Sequence, residues 1–238
     1  MGRLAFPIEP WEGKNYGNGI FGNLKIMILG ESFYWDDLES YIKDGYSQAD
    51  REEDINAATI CTIEKYLNPL ELNDEEKKNR RSWTSTYTKL TKICLDKNEI
   101  TQADKECFWD SILFYNYIVE PLDKPRANVS QNLWAKSEIL FFNVLKYFQP
   151  NCILVLGDRL WDNMAKKGWS DYTNKNFGYY LIDGKKIYAS SIYHPASFYP
   201  YGTEKYDSRR IFKELLFVAE NNEADKMKGN DADTEDVV

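Results

Sequence analysis

The chain reads as an α/β protein in which a central, mostly parallel four-stranded sheet lies inside a three-layer α/β/α sandwich. Three observations point there. Leu24 to Leu29 and Cys152 to Leu156 are short, almost continuously apolar runs, the pattern of strands buried on both faces. Amphipathic stretches of helical spacing separate such runs, as crossover connections between parallel strands require. The runs also end in glycine or polar residues, where a chain leaves a sheet edge.

Taken in order, residues 1–23 are rich in Gly, Pro and aromatic side chains and read as an irregular but anchored arm. The first strand, Leu24 to Leu29, runs into Gly30-Glu31-Ser32. Asp50 to Leu67 places Ile55, Ala58, Thr59, Ile63 and Tyr66 near helical spacing and stops before Asn68-Pro69. Leu72 to Arg81 is a charged surface stretch, and Trp83 to Leu95 resumes a helical pattern. Asp110 to Val119, β-branched and aromatic, is the second strand.

Ser130 caps a helix that Pro150 stops. Cys152 to Leu156 is the third strand, followed by Gly157-Asp158 and a helix to Lys167. Tyr179 to Ile182, Asp183-Gly184 and Lys185 to Ile192 form a hairpin with a primed turn. A last helix, Glu204 to Ala219, closes a single domain over residues 1–220, and residues 221–238 are expected to be a mobile acidic tail.

The formal charge is −8, and half of it sits in that tail, where six carboxylates face only Lys226 and Lys228. The body is therefore mildly acidic, which argues only weakly against a polyanionic partner. The four cysteines, Cys61, Cys94, Cys107 and Cys152, have no C-x-x-C pairing, so neither a zinc site nor an iron–sulfur cluster is expected. No apolar segment resembles a signal peptide or approaches the roughly 20 residues of a membrane span. A cytoplasmic protein without metal or other cofactor is the expectation; the oligomeric state is not legible.

His194, the only histidine, stands in Tyr193-His194-Pro195-Ala196-Ser197, directly after the strand ending at Ile192. Parallel strands carry Glu31 and His194 at their carboxyl ends, the edge where open α/β sheets bind ligands. Asn116 and Gly157-Asp158 end the other two parallel strands. Lys77-Lys78-Asn79-Arg80-Arg81 follows three acids and reads as a solvated helix end, not a nucleic-acid patch.

At these residues the sequence resembles the uracil-DNA glycosylase superfamily, over roughly residues 24 to 217. That family carries a Gly-acid-x-Pro-Gly or Gly-Gln-Asp-Pro-Tyr motif after its first strand, an asparagine ending its second, and a late His-Pro-Ser motif. Here they correspond to Gly30-Glu31-Ser32-Phe33-Tyr34, Asn116 and His194-Pro195-Ala196-Ser197. The first motif lacks its proline, and Ala196 replaces the usual serine. The resemblance implies DNA, single- or double-stranded, with an extruded base as partner. It makes Glu31 and His194 catalytic, and Gly30, Ser32, Phe33, Tyr46, Asn116 and Ser197 substrate-binding. Phe33, Tyr34 or Tyr46 would stack on the base, with Tyr46 about where the family has its stacking aromatic. Phe198 and Tyr199 stand where relatives place a wedge, and Lys205, Arg209 and Arg210 would touch phosphates.

The residues support such chemistry in their own right. Breaking an N-glycosidic bond builds positive charge on the sugar and negative charge on the departing base. A carboxylate can orient water and stabilise the sugar cation, while an imidazole donates to the base oxygen. Asn116 offers a donor and an acceptor to a pyrimidine edge. Two other readings stay open: a non-catalytic module that binds a nucleobase, nucleotide or protein on the same fold, and an N-glycosidase of free nucleosides or nucleotides.

Overall fold

The computed structural model describes residues 8–34, 48–68, 74–124, 126–174, 177–203 and 206–232; the side chains of residues 48–52, 74–83, 172–174 and 222–232 are outside that description. The sheet is built on three strands that the apolar runs anticipate: β2 (Ile26–Gly30), β3 (Ile112–Asn116) and β4 (Cys152–Leu156), each buried at every residue. With β7 (Lys185–Ile192) they make a parallel core in the order β3-β2-β4-β7.

The expected four-stranded sheet is corrected to seven strands. β1 (Trp11–Glu12) adds antiparallel to β3, so the amino-terminal arm supplies an edge strand. On the other edge β6 (Phe177–Ile182) pairs antiparallel with β7, and β5 (Trp169–Asn174) pairs antiparallel with β6. The hairpin turn is of the anticipated kind, with Asp183 and Gly184 at φ 49° and 78°. A separate two-stranded ribbon pairs β8 (Gly202–Thr203) with β9 (Tyr206–Asp207).

Six helices are described: α1 (Gln48–Leu67), α2 (Asp74–Cys94), α3 (Gln102–Asp110), α4 (Gln131–Phe148), α5 (Asp158–Asn163) and α6 (Ser208–Ala232). Several boundaries differ from expectation. The second strand is shorter than Asp110–Val119 because α3 occupies residues 102–110, held by a Thr101/Asp104 capping box. Residues 74–81 of the charged surface stretch, including Lys77 to Arg81 read as a helix end, form the first half of α2. α5 ends at Asn163 instead of Lys167. The last helix begins at Ser208 and continues through Ala232, so residues 221–232 of the presumed tail are helical and residues 233–238 lie outside the described residues. Ser130 does cap α4, accepting from the Leu133 amide at 3.2 Å, and Gln149 ends it at a left-handed φ of 46°.

Alternation along each strand divides the core between the two sheet faces. Met27, Leu29, Leu113, Tyr115, Ile153 and Val155 pack with Phe141, Val144 and Leu145 of α4 and with Leu160 and Trp161 of α5. Ile26, Ile28, Ile112, Phe114 and Leu154 pack on the other face. Their partners there are Ile63 and Tyr66 of α1, Leu90 of α2, Phe108 and Trp109 of α3, and Phe212 of α6. Chain order reverses across β2, since β3 lies on one side of it and β4 on the other. The β2/β4 boundary is thus the topological switch point, the position at which open α/β sheets bind ligands.

Candidate functional site

The site is the carboxyl edge of the parallel core, and the register fixes its order. Gly30 pairs with Asn116, and Leu156 with Ile192. Along the edge stand Asn116 on β3, Gly30-Glu31 after β2, Gly157-Asp158 after β4, and His194 two residues past β7. The strands bearing Glu31 and His194 are two places apart, roughly 10 Å by ordinary interstrand spacing. Between them lies Gly157, at φ 100°, whose amide donates to the Ile192 carbonyl at 2.8 Å. A Cβ on Gly157 would stand 3.2 Å from His194 Cβ, so the glycine lets the histidine segment approach the end of β4 closely.

Glu31 is oriented by Arg159 from the first turn of α5, with Nη2 3.2 Å from Glu31 Oε1 and 13 % of the Glu31 side chain exposed. The same Nη2 donates to the Ala127 carbonyl at 2.7 Å, tying the loop after β3 to the carboxylate. Burial raises the Glu31 carboxyl above its ordinary pKa, opposed by the charges of Arg159 and then Arg126. A raised carboxyl is a stronger base than an exposed one, which suits it to take a proton from water.

His194 is partly buried, and the Ala196 amide donates to its Nδ1 at 3.1 Å. Accepting at Nδ1 places the proton of the neutral ring on Nε2, which is therefore a donor. Burial lowers the imidazole pKa, and Arg126 lowers it further. Both causes keep the ring neutral near pH 7. The ring presents an N–H without a full positive charge.

Asn116 is 6 % exposed, and its Nδ2 donates to Thr59 Oγ1 of α1 at 3.3 Å. Its Oδ1 lies over Gly30. One amide hydrogen is thus committed to the protein. Ser32 and Ser197, in the two motifs, have buried hydroxyl oxygens with no hydrogen-bond partner among the described residues. An unpaired buried hydroxyl is costly, and a ligand is one way to satisfy it.

The other expected contacts divide. Phe33 packs against the core cluster beneath the sheet, so its ring contributes to the fold, and Tyr34 is 44 % exposed. Tyr46 and Lys205 lie outside the described residues. Phe198 is 89 % exposed and Tyr199 58 %, their rings edge-to-face at 4.9 Å. Arg209 is engaged within the protein, bonded to Asp96 at 3.3 Å and Asn98 at 2.9 Å, with its guanidinium over the Tyr201 ring. Arg210 pairs with Glu214 one turn along α6, at 3.7 Å.

Sequence reasoning missed Arg159 and Arg126. Gly157-Asp158 marked the strand end, and the residue that follows on a helix starting there is a natural candidate to face the crevice. Arg126 carries no such signal, because an irregular loop delivers it. A cavity of about 380 Å³ lies elsewhere, beside the beginning of β3, and is lined by Ile20, Phe21, Cys94, Leu95, Lys97, Asp104 and Cys107. Among the described residues no group of His, Cys, Asp and Glu is placed to hold a metal ion, and no helix is long and apolar enough to cross a membrane. The sequence matches no family model and no curated protein.

Proposed function

We propose that the chain is a monofunctional DNA glycosylase of the uracil-DNA glycosylase kind, cleaving the N-glycosidic bond of uracil or a related damaged or modified base. The corresponding finer reading of its fold is a three-layer α/β/α sandwich around the four parallel strands. The observation that carries the proposal is the arrangement across Gly157, with a carboxyl raised by burial on one side and an imidazole with its proton on Nε2 on the other.

In this reaction the bond between sugar C1′ and the base nitrogen breaks with its electron pair leaving on the base. Water oxygen bonds C1′ as Glu31 takes its proton. His194 Nε2–H donates to the base oxygen on which negative charge accumulates, and a neutral donor does this without first losing a partner. Ser32 and Ser197 offer hydroxyls to the extruded nucleotide, and Asn116 offers its remaining amide hydrogen.

The test is incubation with single- and double-stranded uracil-containing oligonucleotides, and a panel of modified bases, followed by alkali. Strand breaks at the base position are expected, abolished or severely reduced in Glu31→Gln and His194→Ala. Folded protein that leaves every substrate intact refutes the enzymatic reading. A non-catalytic binding module on the same fold is the second reading, favoured by the ion pair that engages Glu31 and the Thr59 bond that engages Asn116. Salt-dependent DNA binding without base release would select it.

A further inference from the structure

The ion pair of Glu31 engages one of its two carboxylate oxygens. Arg159 Nη2 stands 3.2 Å from Oε1, and among the described residues no hydrogen bond reaches Oε2. The same Nη2 donates to the Ala127 carbonyl at 2.7 Å, and a two-pronged fork with a hydrogen bond to each carboxylate oxygen is not formed. One oxygen of the acid is held and the other is left for chemistry.

Both partners of this contact are immobilised. Ala127 belongs to the core cluster, and its amide closes a turn on the Lys124 carbonyl at 3.2 Å. The Arg159 carbonyl accepts from Asn163 Nδ2 at 2.8 Å along α5. On the side of the acid, the Gly30 and Glu31 carbonyls accept from the Tyr117 and Ile118 amides at 2.9 and 2.8 Å, and the Phe33 carbonyl accepts from the Leu122 amide at 3.1 Å. The segment bearing Glu31 is thus laced to the chain leaving β3, and Arg159 ties the carboxylate to a later point of the same loop. Backbone and head group are fixed together.

A carboxyl so covered holds its proton more tightly, and a nearby cation opposes this. Arg159 on α5 is the stronger of the two charges that counter the burial of Glu31, and Arg126 in the loop after β3 is the weaker. His194, beyond β7, is kept neutral by its own burial and adds no charge. A protonated carboxyl takes no proton from water, so a base in this place needs its cation.

We infer that Arg159 is a positioning residue of the reaction: it holds Glu31 by Oε1 and leaves Oε2 as the atom that accepts the proton of the attacking water. The inference rests on the glycosylase reading and assigns the work within it. The breaking O–H bond leaves its electrons on the water oxygen that joins C1′, its proton goes to Oε2, and the pair of the C1′–N bond departs with the base. An ion pair confined to one oxygen is compatible with this step, whereas one covering both would block it.

The test measures kcat and KM for base release from uracil-containing oligonucleotides between pH 5 and 9, with folding of each variant checked by circular dichroism. Arg159→Gln should lower kcat at pH 7 by about tenfold to a hundredfold, the scale of displacing a reacting group by an ångström, with KM within about twofold of the parent's. Its acid limb should move upward. Arg159→Lys keeps the charge on a shorter stem, so its limb should return toward the parent's while kcat stays below it. Carbon-13 NMR of the Glu31 carboxyl, identified by its absence from Glu31→Gln, reads the same displacement without turnover and should titrate higher in Arg159→Gln.

A carboxyl that titrates as in the parent, an unchanged kcat, or a loss confined to KM overturns the positioning role and leaves the glycosylase reading standing. Should Arg159→Gln fail to fold, Arg159→Lys decides, because a kcat equal to the parent's overturns the role as well. Folded parent protein that releases no base from any substrate removes both.

Discussion

Asn116 covers Gly30: the β2/β3 register pairs the two residues, and a Cβ at position 30 would come within 2.6 Å of Asn116 Oδ1 and 3.1 Å of the Phe114 ring. The amide oxygen belongs to a short, buried side chain that Thr59 restrains from the other end. Gly30→Ala therefore has to displace Asn116 or spread two central strands. A loss of about 1–3 kcal/mol is expected from overpacking of this kind, measured by denaturant unfolding. Catalytic loss should exceed what the destabilised fraction explains, because Asn116 and Glu31 both move. A variant as stable as the parent would show that the two strand ends part freely.

Glu31 is held at a thermodynamic disadvantage, and replacing it should reveal this. Burial raises its folded pKa above the ordinary 4.5, so the folded protein binds the proton more tightly than the unfolded chain. Stability then falls as pH rises from the unfolded value through the folded one, and the penalty is complete above the folded pKa. Glu31→Gln removes the charge and is expected to melt at or above the parent's temperature at pH 7. The advantage should vanish below pH 4.5. Thermal scans across pH 4 to 8 check the sign, and a variant that is less stable at pH 7 but equal in acid would reverse it.

The parts of this architecture that follow from short-range chemistry are legible in the chain. β2 and β4 announce themselves as apolar runs, Ser130 as a cap, and Asp183-Gly184 as a hairpin turn, because each is decided within a few residues. The first half of α2 carries almost no apolar residue, so it lacks the 3.6-residue signature that makes a helix readable. α3 hid behind Asp110, where a helix passes into β3 with almost no break, although Thr101-x-x-Asp104 was a capping signal. At the site, Glu31, Asn116 and His194 were visible because strands end in them. The bonds of Arg159 to Ala127 and Glu31 join segments about thirty and more than a hundred residues apart and have no local trace.

His194 should titrate below the ordinary histidine value of 6.5, since burial and then the charge of Arg126 both oppose its cation. The unfolded chain protonates at the ordinary value, so folded stability contributed by this residue is intact above pH 6.5. It is lost as pH falls through 6.5 toward the lowered folded pKa. His194→Gln should be less sensitive to acid over that window. An NMR titration gives the pKa directly, and Arg126→Gln is expected to move it upward. If base release requires the neutral ring, the acid limb set by His194 lies below 6.5, and protonation of Glu31 adds a loss of activity at its raised carboxyl pKa. An imidazole titrating above 6.5 would contradict the electrostatic account of the crevice.

Phe198 separates folding from function more cleanly than any residue of the crevice. With 89 % of its surface exposed and its ring edge-to-face on Tyr199, it contributes almost nothing to the core. Phe198→Ala should leave stability within about 0.5 kcal/mol of the parent, as for surface substitutions generally. An exposed aromatic beside the histidine motif is positioned to enter a base stack, where an apolar wedge offsets the energy of pulling a nucleotide out of a duplex. A single strand needs little such help, because its base is already unstacked. Phe198→Ala is therefore expected to slow base release from double-stranded substrate by about tenfold or more, one to two kcal/mol of unstacking, and to leave single-stranded cleavage nearly unchanged. Equal losses on both substrates would place the ring on the nucleotide itself, and no loss on either would assign the exposed pair to another partner.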